Sequence, residues 1–118
     1  AWLAWRSWRS NRYRRQALIE LQQFRGQEGQ SLQQLPALLK RTALTAWPRE
    51  AVAALSGATW HRFLDASAGF DRFEKGAGVL LDRLAYGSGL SRSEQEQLLE
   101  ASEYWMRNHR MPGRGKSS

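Results

Sequence analysis

Residues 91–109 read SRSEQEQLLEASEYWMRNH, and this stretch predicts a helix more clearly than any other part of the chain. Ser91 stands three residues before Glu94, the spacing of a capping box, in which each side chain satisfies the other residue's free backbone N–H. Leu98, Ser102 and Trp105 then recur at intervals of four and three residues, which places them on one face of a helix. The stretch therefore predicts an amphipathic helix that packs on a core.

Helical spacing also governs the chain before this segment, and no part of it shows the sustained alternation typical of strands. The predicted helices cover, in chain order, the N-terminal region to Phe24, residues 31–47, 49–55, 58–68, 78–85 and 91–109. Phe70 and Phe73 are predicted to pin a loop to the core. The fold class is therefore all-α, a compact bundle of five or six helices, several of them short. The predicted core consists of Leu21, Phe24, Leu35, Leu38, Leu39, Leu55, Trp60, Phe63, Leu64, Leu81, Leu98 and Trp105.

Length and composition limit the chain to one folded domain. With 118 residues, 42% of them hydrophobic, it can bury a single core and no second one. We expect a basic aromatic juxtamembrane segment at 1–15 that leads into the first helix, a helical domain at 16–109, and a disordered basic tail at 110–118. Cysteine is absent, which excludes disulfides, zinc–thiolate sites and a cysteine nucleophile.

The formal net charge of +7 is concentrated at the two ends of the chain. Residues 1–25 carry six arginines against Glu20, and residues 107–118 carry four basic side chains and no acidic one. The central part has eight basic and ten acidic side chains and is nearly neutral. Basic ends indicate tails or a juxtamembrane segment, rather than a basic face spread over a whole domain.

The N-terminal segment interleaves tryptophan with arginine. Tryptophan is favoured at the bilayer interface, and an excess of arginine marks the cytoplasmic side of a membrane-spanning helix. The predicted membrane-interface residues are Trp2, Trp5, Trp8, Arg6, Arg9 and Arg12. Two alternatives stay open: the tryptophans are ordinary core anchors of the first helix, or the segment binds nucleic acid through phosphate contacts and ring stacking.

Candidate catalytic and metal-binding residues are few. His61 lies four residues before Asp65 and can hydrogen-bond it on one helix face, whereas His109 near a helix C-terminus is a favourable partner of the helix dipole. Neither has further ligands at a spacing that a metal ion requires. A solvated helix face explains the acidic row Glu94, Glu96, Glu100 and Glu103. We therefore expect a non-enzymatic protein with no catalytic residue, no cofactor and no metal site.

Three basic residues in the centre of the chain form a further candidate site. Lys40, Arg41 and Arg49 are either ion-pair partners of a buried carboxylate such as Asp65 or an interaction patch. We favour the ion pair, because Asp65 shares a helix face with large apolar side chains and requires a counter-ion or helix-cap donors there.

Four motifs follow one another in the central and C-terminal parts of the chain. They are LKRTAL at 39–44, PR at 48–49 with VAALSG at 52–57, WHRFLD at 60–65, and YWMRNHR at 104–110. In this order they resemble a bacterial membrane-anchored family of unknown function that is encoded beside MoxR-type AAA+ ATPases and von Willebrand factor A domain proteins. The likeness covers roughly residues 12–110. Trp47, where tyrosine is expected, and Met106, in place of a β-branched residue, depart from the family pattern.

The resemblance implies an N-terminal transmembrane helix, a location at the bacterial inner membrane with the domain on the cytoplasmic side, and the ATPase and von Willebrand factor A proteins as partners. The chain has no run of about 18 apolar residues and begins at Ala1, so we expect a trimmed or processed fragment without that helix. Our hypothesis is a non-enzymatic adaptor or scaffold that contacts the membrane surface through its N-terminus and takes no small-molecule substrate. The alternative is a small basic helical domain that binds nucleic acid.

Overall fold

The computed structural model describes the backbone of residues 2–25 and 31–110, and the side chains of residues 12–25 and 32–110. All regular structure in these ranges is helical, which confirms the predicted all-α fold. The α-helices are α1 (Trp2–Arg25), α2 (Leu35–Ala46), α3 (Arg49–Val52), α4 (Gly57–Ala68), α5 (Gly78–Ala85) and α6 (Arg92–Asn108). The predicted disordered tail lies outside the described residues, except for Arg110.

Side-chain caps fix where the helices begin, as the sequence predicts for α6. The Ser91 hydroxyl accepts a hydrogen bond from the backbone N–H of Glu94 at 3.2 Å, and the Glu94 carboxylate accepts one from the N–H of Ser91 at 2.9 Å. At the start of α4, the Thr59 hydroxyl accepts from the N–H of Ser56 at 3.2 Å. The opposite end of α4 stops at Gly69, whose φ of 72° suits glycine better than other residues.

Three element boundaries differ from the sequence prediction. A 3₁₀ turn (Ser31–Gln34) precedes α2, so Pro36 stands in the first turn of the α-helix, where its missing N–H costs nothing. The third helix ends at Val52 instead of continuing to Leu55. The segment predicted as a pinned loop forms a π-helical turn (Phe73–Ala77) that runs directly into α5, and it buries Phe73 as expected.

The core lies between α1, α2, α4, α5 and α6. All the predicted core residues are buried except Phe24, Leu55 and Phe63, which are partly buried and pack against the core. Further buried side chains come from the 3₁₀ turn and from α6, among them Leu32, Leu99 and Met106. The helical stripes thus meet in one apolar interior, as their spacing predicts.

Helices α1 and α6 run antiparallel. Arg14, in the middle of α1, contacts the last turn of α6 at Met106, while Arg25 at the end of α1 reaches Glu96 and Glu103. With 17 residues, α6 is about 25 Å long and spans the bundle. We call the end of the bundle at the C-terminus of α6 the junction end; it is formed by residues 12–15, 47–50, 66–68 and 107–110. We call the end at the N-terminus of α6 the far end; it includes the α5–α6 connection at 86–91.

Within residues 2–25 and 31–110, no helix is both long and apolar enough to cross a bilayer.

Candidate functional site

His109, at the C-terminal end of α6, is the centre of the junction end. Its side chain is 2% exposed and its ring stacks on Trp105 at a centroid distance of 4.1 Å. Nδ1 lies 2.7 Å from the Trp105 carbonyl and Nε2 lies 2.7 Å from the Tyr13 hydroxyl. This arrangement assigns the neutral tautomer in which Nδ1–H donates to the carbonyl and Nε2 accepts from the tyrosine.

Burial lowers the pKa of His109 to about 4, and the nearby Arg14 guanidinium acts in the same direction. His109 is therefore neutral at physiological pH. The predicted contact of His109 with the C-terminal end of its helix is made by the neutral ring, whose Nδ1–H donates to the Trp105 carbonyl.

Arg14 supplies the positive charge at this helix end instead. Its guanidinium donates hydrogen bonds to the carbonyls of Met106 and His109, the second at 2.9 Å. Carbonyls in the last turn of a helix have no partner within the helix, and a cation there is favoured by the helix dipole. Sequence reasoning missed Arg14, although its spacing from Ala17 and Leu21 places it on the buried stripe of α1.

The junction end also includes α4 and the residue after α2. The Trp105 indole N–H donates to the Ser67 hydroxyl at 2.9 Å, and the backbone N–H of Arg110 donates to the Ser67 carbonyl at 3.1 Å. Trp47, the residue after α2, lies 5.6 Å from His109 and 6.4 Å from Trp105 between ring centroids. Four segments distant in sequence are thus held together around His109.

Basic side chains surround this junction. Arg12 and Arg15 on α1, Arg49 at the start of α3, and Arg110 after α6 are all exposed. We call these four the basic rim. The segments that define the junction end contain one acidic residue, Glu50, which is exposed too.

The predicted membrane-interface residues fall mainly outside the described side chains. The backbone of α1 includes Trp2, Trp5, Trp8, Arg6 and Arg9, whose side chains are not described. Arg12 is described and exposed, as a member of the basic rim. Whether the tryptophans contact a bilayer stays a prediction.

Asp65 forms a helix cap instead of the favoured ion pair. Its two carboxylate oxygens accept hydrogen bonds from the backbone N–H groups of Phe73 and Glu74, each at 2.9 Å. Neither Lys40 nor Arg41 pairs with it among the described contacts. Backbone N–H groups, and not a basic side chain, therefore satisfy this buried carboxylate.

The three central basic residues occupy separate environments. The Lys40 ammonium lies 4.4 Å from the Trp60 ring centroid and donates to the Leu55 carbonyl at 2.8 Å, and burial lowers its pKa. Arg41 pairs with Glu20 across the groove between α1 and α2. Arg49 is exposed like Arg41, but it has no ion pair within the described residues, so its charge is the one of the three that is not engaged there.

His61 bonds to Asp82 on α5 and not to Asp65 on its own helix. The distance from Nε2 to the Asp82 carboxylate is 3.1 Å. Gly78 lies against the imidazole, and a Cβ atom there would come within 2.6 Å of the Phe73 carbonyl and still closer to the ring. Across residues 2–25 and 31–110, no group of three or more histidine or acidic side chains could hold a metal ion.

The acidic row of α6 is engaged in ion pairs with arginines from other elements and from α6 itself. Glu94 pairs with Arg83, and Glu103 pairs with both Arg25 and Arg107. The pKa of Glu103 is lowered, first by the hydrogen bond from Arg107, and that of Glu94 is lowered, first by the hydrogen bond from the Ser91 backbone. These carboxylates hold α6 to its neighbours.

Two exposed apolar side chains lie along α5 and at its end. Tyr86, directly after α5, is 88% exposed, and Val79, two helical turns earlier on the same side of α5, is 59% exposed. Arg83 places this region next to the start of α6, because it donates to the Gly89 carbonyl and pairs with Glu94. Tyr86 therefore lies at the opposite end of α6 from the basic rim, and Val79 lies at the start of α5.

In a comparison with protein families, residues 1–108 match the family described as a domain of unknown function, DUF4381. The chain belongs to the DUF4381 family. No curated protein and no solved structure shows significant similarity to it. The DUF4381 match extends over both the N-terminal segment 1–15 and nearly all of the predicted helical domain, and α1 crosses the boundary between them. In this DUF4381 domain, the residues around His109 connect the first helix of the match to the last.

Proposed function

We propose that this DUF4381 domain is the cytoplasmic part of an inner-membrane-anchored protein, and that it acts as a non-enzymatic adaptor or scaffold. The observation that carries the proposal is the course of α1, which runs without a break from Trp2 to Arg25. From Tyr13 onward this helix is fixed to the bundle by buried Ala17 and Leu21 and by the hydrogen bonds of Tyr13 and Arg14. Attachment of its first half would therefore position the whole bundle.

The sequence of the first half of α1 supports attachment to a membrane. Tryptophan at positions 2, 5 and 8 and arginine at positions 6, 9 and 12 follow the order of a helix that leaves a bilayer on the cytoplasmic side. A transmembrane helix can continue directly into α1, because no helix break separates these residues from the bundle.

The adaptor role follows from the resemblance to a family encoded beside MoxR-type AAA+ ATPases and von Willebrand factor A proteins. If α1 connects the junction end to the bilayer, the far end faces the cytoplasm. Tyr86 is then an apolar side chain that a partner reaches first, with Val79 on the same side of α5, and tyrosine is a frequent energetic centre of protein interfaces.

Cell fractionation tests the attachment. The protein is expressed from its complete gene and the membrane fraction is washed with alkaline carbonate, which removes peripheral proteins. We expect the protein to stay in the membrane fraction, and the gene to encode about 20 apolar residues before Ala1. Recovery of the protein in the soluble fraction would contradict the attachment.

Binding measurements with purified partners test the adaptor role. The ATPase and the von Willebrand factor A proteins encoded beside the gene are titrated separately onto the immobilised domain. We expect at least one to bind, and the double variant Val79→Ser/Tyr86→Ser to weaken binding by about tenfold or more. Ile19→Ser is the matched control, because Ile19 is 48% exposed on α1, away from the far end. Absence of binding to every one of these proteins would contradict the adaptor role.

A further inference from the structure

The basic rim combines arginines from three parts of the chain. Arg12 and Arg15 precede Arg49 by more than 30 positions, and Arg110 follows after about 60 more. The fold brings them to one end because α1, the segment after α2 and the end of α6 meet around His109. No single stretch of sequence contains this surface.

Three members of the rim, Arg15, Arg49 and Arg110, form no ion pair within the described residues, so their charge is available to an outside partner. Arg14, in the same region, uses its guanidinium on the carbonyls of α6, and Arg107 is paired with Glu103 at 2.9 Å. The four rim arginines are exposed, and Glu50 is the acidic residue of the junction end that opposes them. The surface therefore carries a net positive charge next to the point where α1 leaves the bundle.

We infer that the basic rim rests on the bilayer surface and binds anionic phospholipid headgroups. The inference deepens the proposed membrane attachment and rests on it, because the rim faces the bilayer only if α1 leads there. Basic residues close to a membrane surface are attracted by anionic lipids, and the attraction falls within a Debye length of about 8–10 Å. The rim thus gives the bundle a second contact with the membrane, beyond the tryptophan and arginine segment of α1.

Vesicle co-sedimentation of the 118-residue chain tests the inference. Vesicles of phosphatidylcholine are compared with vesicles in which one third of the lipid is phosphatidylglycerol. We expect the double variant Arg49→Glu/Arg110→Glu to bind the anionic vesicles at least about tenfold more weakly than the original chain. Circular dichroism and thermal melting establish that each variant is folded.

The matched control is the double variant Arg62→Glu/Arg92→Glu. It changes the net charge by the same amount and its arginines are exposed as well. Arg62 lies 3.8 Å from the exposed carboxylate of Glu74, and Arg92 lies at the far end of α6. We expect it to weaken binding by less than about threefold, since charges beyond a Debye length are largely screened. Equal weakening by both double variants would overturn the inference, because net charge alone would then explain the binding.

Two further measurements separate this inference from the proposed attachment through α1. A variant with serine at positions 2, 5 and 8 removes the three tryptophans. Should it alone lose binding, with Arg49→Glu/Arg110→Glu unaffected, the rim contact is wrong while attachment through α1 stands. Should the rim variant lose binding while the tryptophan variant keeps it, the rim contact is supported and attachment through the tryptophans fails.

Tighter binding of duplex DNA than of anionic vesicles at equal salt, lost in the rim variant, would overturn the lipid assignment in favour of nucleic acid.

Discussion

The hydroxyl of Tyr13 donates a hydrogen bond to Nε2 of His109 at 2.7 Å, across 96 positions of sequence. This bond joins the first helix of the domain to the residue that ends the last helix. It satisfies the second nitrogen of a buried imidazole whose first nitrogen donates to the Trp105 carbonyl. The position of α1 on the bundle therefore depends on a polar contact as well as on apolar packing.

Removal of this hydroxyl tests its contribution. In Tyr13→Phe, Nε2 of His109 stays buried without a donor, and we expect the free energy of unfolding to fall by about 1–2 kcal/mol. Urea denaturation followed by tryptophan fluorescence measures the change. Tyr86→Phe serves as the control, because the Tyr86 ring is 88% exposed, and it should leave stability within about 0.5 kcal/mol. Equal stability of Tyr13→Phe and the original chain would contradict the assigned bond.

Stability should fall as the solution is made acidic. The pKa of His109 is about 4 in the folded chain against an ordinary value of 6.5, so only the unfolded chain takes up a proton between these values. The free energy of unfolding is therefore unaffected by this histidine above about pH 6.5. Below that value it decreases, by about 2 kcal/mol between pH 7 and pH 5. His109→Gln should show a correspondingly flatter dependence in this range. A slope that His109→Gln leaves unchanged would contradict a buried neutral imidazole.

Arg14 should be more important for stability than its neighbour Arg15. Arg14→Met leaves the carbonyls of Met106 and His109 without their charged donor, and we expect a loss of about 2–3 kcal/mol. Arg15→Met removes an exposed arginine from the next position and should change stability by less than about 0.5 kcal/mol. Thermal unfolding of the two variants, compared at the same ionic strength, measures the difference. Similar losses in both would show that helix-end hydrogen bonding contributes little.

A methyl group at position 78 should disturb the contact between α4 and α5. In Gly78→Ala, the new Cβ would overlap the His61 ring and the Phe73 carbonyl, so the helices must move apart at a cost of about 1–3 kcal/mol. Gly89→Ala adds the same atom where no other atom lies within 4 Å. We therefore expect near-normal stability for Gly89→Ala, and chemical denaturation of both variants compares them. Equal stability would mean that the close approach at Gly78 does not limit the packing.

The sequence predicts the elements that depend on local spacing. The capping box of Ser91 and Glu94 fixes the start of α6, and Pro48 and Gly69 mark the ends of α2 and α4 close to where they are found. Periodic apolar residues identify most of the core for the same reason, since a helix brings residues three and four apart to one face. The fold class and the approximate course of the helices could therefore be derived from the chain alone.

Polar partners could not be derived in this way, because they come from elements far apart in sequence. His61 can reach Asp65 on its own helix, yet the packing of α4 against α5 presents Asp82 instead. Asp65 is satisfied by backbone N–H groups of a π-helical turn that the sequence predicts as a loop. The neutral state of His109 requires knowledge of its burial between Tyr13, Trp47 and Trp105. Each of these depends on how helices pack, which local patterns do not determine.

Because α1 is unbroken, its length determines how the bundle is rotated about the α1 axis. An α-helix turns by about 100° and rises about 1.5 Å with each residue. One residue inserted before Tyr13 would therefore swing the bundle a quarter of the way around the α1 axis, relative to anything fixed at Trp2, while hardly changing its height. The number of residues in this helix sets the azimuth of Tyr86 and of the four rim arginines, so spacing in α1 selects which side of the bundle meets a neighbour.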